Sequence, residues 1–246
     1  MISFEDFSNF CVEATEFIAG KLQDAIEPAE FLFKEDGTEV STSDFFIEDH
    51  LRTLICKEFP EHGILGEERD PINPDASYKW IIDPIDGTYG FIRGVPLFGT
   101  LVGLIYNNEP MYGFLRIPKL SNVWLSGNGS TALLNGKEIY ANSFTNWSKS
   151  LILTTDQQTI ENSPVGKLWK TALRFGATAR TWGDCFGYYL LCTGKAEIMA
   201  DTCLKPCDIL PLIPILKGAG LEVHKIGCLD YSHVIACKKG VFDQLQ

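Results

Sequence analysis

Apolar residues recur at Phe7, Phe10, Cys11, Ala14, Phe17, Ile18, Leu22 and Ala25. That spacing keeps them on one side of a 3.6-residue repeat and predicts a long amphipathic helix over residues 3–26, with Ser3 and Asp6 as its N-cap signature. A second helix is expected after the polar stretch Lys34–Thr38. Val40-Ser41-Thr42-Ser43-Asp44 offers its cap, Ile47, Leu51, Leu54 and Ile55 form its apolar face, and Pro60 ends it.

The period then shortens. Gly63-Ile64-Leu65-Gly66 is a short apolar run that stops at Glu67-Glu68, and Trp80–Ile82 has the character of a buried strand. Gly99–Tyr106 and Met111–Ile117 predict two strands joined by a hairpin at Asn107-Asn108, followed by a third over 122–126. Turns are expected at Gly127–Ser130 and Asn135-Gly136. Further on come a strand at Leu151–Thr154, helices at Val165–Arg174 and Asp184–Cys192, and a strand at Glu197–Ala200 that ends at Asp201. Asp208 is expected to cap a helix over Ile209–Leu216 that Pro214 interrupts, before strands at Leu221–Ile226 and His233–Cys237.

This is a mixed α and β chain. A composition shift near Ser150 divides it into an N-terminal α+β lobe, 1–150, and a C-terminal α/β lobe, 151–246, expected to form one compact unit. With 246 residues, 45% of them hydrophobic, it can build a large core. The net charge of −11, with 21 Lys and Arg residues in no basic run, disfavours nucleic acid and anionic membranes as partners. A binder of cations, or of anions through cations, fits better.

The eight cysteines form no Cys-x-x-Cys pair and read as reduced core thiols; Cys203 and Cys207 could chelate a soft metal but stand without a nearby third ligand, so core or loop packing is expected of them. Met1–Asp6 is acidic and unlike a signal peptide, and no apolar run approaches the ~20 residues of a membrane span. A cytoplasmic protein is expected.

The chemistry concentrates in Trp80-Ile81-Ile82-Asp83-Pro84-Ile85-Asp86-Gly87-Thr88, where an apolar strand meets two carboxylates, a glycine and a hydroxyl. Pro84 biases Asp83 towards extended geometry and Gly87 permits a sharp turn. Two carboxylates at the edge of an apolar layer resist desolvation unless a cation joins them, and oxygen ligands suit Mg²⁺ or Mn²⁺. Asp-Pro and Asp-Gly are also ordinary turn dipeptides, so both readings stand for this stretch alone. Asp44 could merely favour its helix dipole, and Glu67 and Glu68 could be surface acids, of which at most one faces inward. Yet Glu67, Asp83, Asp86 and Asp208 each end a predicted strand or begin a helix, where α/β sheets gather ligands.

Leu65-Gly66-Glu67-Glu68, then Asp83-Pro84-Ile85-Asp86-Gly87-Thr88, then Asp208 before Gly218-Ala219-Gly220 together resemble the signature of the inositol monophosphatase family of Mg²⁺-dependent, lithium-sensitive phosphomonoesterases. The resemblance implies an α/β fold, a layered αβαβα sandwich, and a homodimer. It implies Glu67, Asp83 and the Ile85 carbonyl around one Mg²⁺, and Asp83, Asp86 and Asp208 around a second, with a third, weaker ion near Glu67. Mn²⁺ would be a substitute and Li⁺ an inhibitor. Glu67 and Thr88 would orient the attacking water, Asp44 would hydrogen-bond the Thr88 hydroxyl, and the amides of Gly87 and Thr88 would hold the phosphate.

The segments Ile92–Leu101, Gly183–Tyr188 and Leu204–Ile209 are most similar to the histidinol-phosphate phosphatase branch. That implies a small phosphorylated metabolite with a cationic amine, read by Asp184 and Asp201. Asp184 could instead cap its helix and Asp201 be a loop carboxylate, or serve an inositol hydroxyl; the alternatives are an inositol-1-phosphate or broad sugar-phosphate phosphatase, and a catalytically silent metal-stabilised interaction protein. The chain departs from the family pattern at Cys207, where a Trp is usual, at Gly220-Leu221, where Gly-Gly is usual, and at Tyr89, where the histidinol branch often has Arg or Lys. Its C-terminal segment is short, so a helix of many relatives is expected to be missing.

Overall fold

The computed structural model describes residues 2–24, 30–34, 37, 39–121 and 123–246. Ala25 and Ile26 of the expected first helix, Glu35, Asp36 and Thr38 of the polar stretch, and Asn122 at the head of an expected strand lie outside the described residues.

Helix α1 (Phe4–Asp24) follows from its spaced apolar face and from Ser3, whose Oγ accepts the Asp6 N–H at 3.1 Å. Strands β1 (Phe31–Phe33) and β2 (Glu39–Ser41) form a small hairpin that the sequence pattern did not predict. Helix α2 (Thr42–Glu58) is capped by Ser41, whose hydroxyl accepts the Ser43 N–H at 3.2 Å while Asp44 reaches back to the Ser41 N–H at 2.8 Å. Then come β3 (Gly63–Gly66), β4 (Tyr78–Asp86), the four-residue helix α3 (Thr88–Phe91), and strands β5 (Gly99–Tyr106), β6 (Glu109–Ile117), β7 (Val123–Gly127), β8 (Ala132–Leu134) and β9 (Lys137–Ile139). β3 to β9 make one seven-stranded sheet in chain order. Asn107 and Asn108, both at positive φ, turn the β5–β6 hairpin as expected.

The remaining elements are β10 (Leu151–Leu153), α4 (Gln157–Glu161), α5 (Gly166–Arg174), β11 (Thr178–Arg180), α6 (Asp184–Cys192), β12 (Ile198–Thr202), α7 (Pro206–Ile209), α8 (Leu212–Gly218), β13 (Glu222–Lys225), β14 (His233–Cys237) and α9 (Phe242–Leu245). They contribute a five-stranded sheet of order β11-β10-β12-β14-β13.

Side-chain alternation along the strands sorts these elements into five layers. Trp80 and Ile82 of β4 face Phe7, Cys11, Ile18, Ile47 and Leu51 of α1 and α2. Leu101 and Leu115 on the opposite face of that sheet meet Leu191 of α6 and Leu212 and Ile215 of α8, which in turn cover Met199, Val234 and Ala236 of the second sheet. Ile198, Ala200, Ile235 and Cys237 point the other way, onto Ile160, Trp169, Ala172 and Leu245 of α4, α5 and α9. The architecture is thus an α/β sandwich layered αβαβα. The central helices sit very close to the first sheet: a Cβ added to Gly113 would stand 1.7 Å from the Pro211 carbonyl oxygen, so only glycine admits α8 there.

Two expectations are corrected. Asp208 does not cap a helix running from Ile209: Lys205 holds the cap position, Asp208 lies within the first turn of α7, and its Oδ2 accepts the Lys205 N–H at 2.8 Å. Nor does Pro214 interrupt the helix. It falls in the first turn of α8, where its missing N–H costs no intrahelical bond, and the break comes earlier, between α7 and α8 at Leu210-Pro211.

Candidate active site

Asp83 to Asp86 do not form a loop after the strand; they are the end of β4 itself. Asp83 pairs opposite Leu101 and Asp86 opposite Gly99, leaving Pro84 and Ile85 against Thr100 alone. Proline donates no ladder bond, so it suits such a bulge, and the Thr100 hydroxyl binds the Pro84 carbonyl at 2.8 Å. Gly87, at φ 92°, then turns the chain into α3. A Cβ there would lie 3.2 Å from the Leu97 carbonyl oxygen and 3.3 Å from Asp184 Oδ2. The Thr88 hydroxyl donates to the Ile85 carbonyl at 2.7 Å and stands 3.5 Å from Asp44 Oδ1, beneath it.

Parallel pairing of β3 with β4 sets Gly66 beside Ile82, so the next residue, Glu67, emerges beside Asp83. Glu68 does not line the cleft, but it shares the Lys34 ammonium with Glu67, at 2.6 and 3.0 Å. The turn is fixed by buried Glu48, which accepts the Glu68 and Arg69 N–H groups at 2.7 and 3.1 Å and binds Arg52 at 2.8 Å. Carboxylate oxygens of Glu67, Asp83 and Asp208 and the Cys207 sulfur all lie within 4.8 Å of one another. Asp83 is 2% exposed, and its Oδ1 has no hydrogen-bond partner among the described residues.

Across the cleft, Asp86 Oδ2 accepts the Cys185 N–H, and the next helix residues bring in the substrate-side acids. Asp184 is the first residue of α6, not its cap, which is Gly183. Its N–H donates to Thr155 Oγ1 at 2.9 Å, and the Thr155 hydroxyl donates to Asp201 Oδ2 at 3.1 Å. Asp201 is not a loop carboxylate: it is buried within β12, paired opposite Val234. Glu67, Asp83, Asp86, Asp184, Asp201 and Asp208 line one cleft of about 300 Å³, and Asp44 is buried behind Thr88.

So many carboxylates in one place cannot all be charged without counterions. Burial, reinforced by Glu67, Asp86 and Asp208, pushes Asp83 well above the usual carboxylate range. Burial and then the Asp184 charge do the same for Asp86, and burial with Asp184 for Asp201. Burial raises Asp208 and takes Asp184 and Asp44 to about 6. Two ammonium groups already sit on Glu67 Oε1, Lys34 at 3.0 Å and Lys205 at 3.1 Å. An orphaned buried carboxylate oxygen inside a cluster dominated by acids, with cations drawn to its rim, is a donor set that fits hard divalent ions.

The structure brings every predicted site residue together, and adds five. Lys34, Lys205, Thr155 and Tyr188 surround the acids, and Cys207 enters their cluster. Thr155 follows β10 at its carboxyl end, the place where α/β sheets gather ligands, and could have been found by that rule. Nothing local in the sequence marks Lys34 or Tyr188.

Residues 5–239 match the inositol monophosphatase family profile. The chain is 35% identical to a histidinol-phosphatase of Chlorobaculum parvum over 76% of its own length and 72% of the relative's. It is 28% identical to a fructose-1,6-bisphosphatase/inositol-1-monophosphatase of Aquifex aeolicus over 83% and 79% of the two chains. Among solved structures, an inositol monophosphatase from Zymomonas mobilis superposes with a TM-score of 0.81 at 26% identity, covering 100% of this chain and 98% of that one. The chain belongs to the inositol monophosphatase family. It is a phosphoric monoester hydrolase, which sets aside the reading as a silent interaction protein.

Proposed function

We propose that the cleft hydrolyses histidinol phosphate to histidinol and phosphate, with Mg²⁺ held by Glu67, Asp83, the Ile85 carbonyl, Asp86 and Asp208. The observation that carries the metal reading is the buried Asp83 Oδ1, without a hydrogen-bond partner among the described residues, amid these acids. Bound there, two or three such ions supply Lewis-acid activation of water and neutralise phosphoryl charge, with Mn²⁺ as a substitute and Li⁺ as an inhibitor.

The chain's own groups do the positioning. Thr88 commits its proton to the Ile85 carbonyl, so its lone pairs are left to accept from the attacking water. Glu67 shares that water as acceptor, and Asp44, 3.5 Å below the Thr88 hydroxyl, is the alternative acceptor of the same proton. The Gly87 and Thr88 amides, at the first turn of α3, bind the phosphate oxygens. Residues 1–150 supply this half of the site and residues 151–246 the other, so the two lobes work as one unit.

On the far wall, Asp184 and Asp201 share Thr155 and present carboxylates to the amine and imidazole of histidinol. The similarity to the Chlorobaculum relative supports this choice. A polyol such as inositol-1-phosphate could use the same acids, and the Aquifex and Zymomonas relatives favour that second reading. A homodimer in the cytoplasm is the expected form. The test is Mg²⁺-dependent kinetics on both esters: kcat/KM is expected to favour histidinol phosphate, and a tenfold preference for inositol-1-phosphate, about 1.4 kcal/mol in the transition state, overturns the substrate assignment.

A further inference from the structure

One thiol penetrates the acidic cluster. Cys207, in the first turn of α7, is buried against Ile81, Ile105, Leu65 and Leu210, and its Sγ lies 3.2 Å from Asp208 Oδ1. The sulfur and one oxygen each from Glu67, Asp83 and Asp208 fall within 4.8 Å of one another. Four ligands of a tetrahedral ion at zinc distances stand roughly 3.3–3.8 Å apart, so small side-chain rotations close this group around one ion. Asp83 provides the independent sign of a ligand: it is buried, and its Oδ1 has no partner among the described residues. The family resemblance places a tryptophan at position 207, which could offer an ion nothing. Here that position carries a soft donor.

The geometry points to Cys207 as a sulfur ligand that makes this centre prefer thiophilic divalent ions, Zn²⁺ above all, and makes Zn²⁺ an inhibitor that competes with Mg²⁺. This rests on the reading of Glu67, Asp83 and Asp208 as metal ligands. Thiolate selects zinc and cobalt, whereas carboxylate and carbonyl suit magnesium. On binding, the S–H proton passes to solvent as the sulfur–metal bond forms. Four protein ligands then close a tetrahedral ion and leave no open position for substrate or water, the arrangement of a structural zinc centre and not of a catalytic one.

The full-length protein should be tested in a His224→Ala background, because Glu222, His224 and Cys237 form a second cluster able to take zinc. Zinc-edge X-ray absorption at one equivalent should show a sulfur neighbour at about 2.3 Å. Co²⁺ should give a sulfur-to-cobalt charge-transfer band that disappears in Cys207→Ser. Since loss of even an outer-sphere partner costs about 10–100-fold in metal affinity, Cys207→Ser should weaken Zn²⁺ at least about tenfold by calorimetry. Only oxygen and nitrogen neighbours around zinc, with equal Zn²⁺ affinity in the variant, overturns the inference while leaving the metal centre intact. The X-ray measurement needs no folded variant at position 207. Failure of Mg²⁺, Co²⁺ and Zn²⁺ alike to bind the wild-type acids overturns both the inference and the metal reading beneath it.

Discussion

Raising the pH of the metal-free protein from about 4 to 6.5 should destabilise it. Asp44 is fully buried, and its carboxyl rises from 3.8 to about 6 because burial disfavours the charge more than the Ser41 N–H and hydroxyl, at 2.8 and 2.6 Å, favour it. An acid whose folded value is raised holds a proton that the unfolded chain has already released. Its stabilising contribution is present below about 4 and lost as pH climbs through about 6. That shift is worth about 3 kcal/mol. Asp184, also at about 6, acts in the same window. The acids held low by hydrogen bonds, Asp49, Asp156 and Asp230, are exposed and act below it. For a chain of this size 1 kcal/mol moves Tm by about 2–4 °C, so Asp44 alone should lower Tm by roughly 6–12 °C across the window. Calorimetric scans in EDTA measure this, and Asp44→Asn, which keeps an acceptor for Ser41, should flatten the slope by that share. Saturation of Mg²⁺ to 100 times its Kd at pH 7 should return about 2.7 kcal/mol. A metal-free Tm that is flat or rising over this range, or an identical slope in Asp44→Asn, would refute the reasoning.

Gly87→Ala forces a left-handed backbone on a residue with a Cβ 3.2 Å from the Leu97 carbonyl oxygen; the strain is about 1–2 kcal/mol, and kcat/KM should fall at least tenfold as the phosphate amides shift. Glu48→Ala strands buried Arg52 and two backbone N–H groups, so denaturant unfolding should record a loss of about 3–5 kcal/mol. Asp201→Ala should cost more in kcat/KM on histidinol phosphate than on p-nitrophenyl phosphate, which has no cation to read; equal losses would remove Asp201 from substrate reading.

Elements with a strong local signal were legible: the spaced apolar face of α1, the Ser41 cap of α2 and the Asn107-Asn108 turn. So was the grouping of the acids, because Glu67 follows β3, Asp83 and Asp86 close β4, and Asp208 lies in the first turn of α7. Short elements were not. β1 is three exposed residues, β8 and β9 are three each, and none is long enough to display a period. Asp208 was placed at the right end of the right segment but in the wrong turn, because Pro206 can start a helix as readily as Pro214 can interrupt one. The bulge at Pro84-Ile85 depends on pairing with β5, and Lys34 and Lys205 reach Glu67 only through tertiary folding. Cys207 packs as expected, but its nearness to Glu67 and Asp83 is not legible, because those residues lie more than 100 positions away in the chain.

Whether these acids form a metal centre for phosphate-ester hydrolysis is tested most directly by a Mg²⁺ titration of phosphate release from histidinol phosphate, run with wild type and Asp86→Asn. Release should be at background in EDTA, rise to saturation with Mg²⁺, and fall about a hundredfold or more in the variant. Full turnover in excess EDTA, or an Asp86→Asn enzyme as active as wild type, would contradict it.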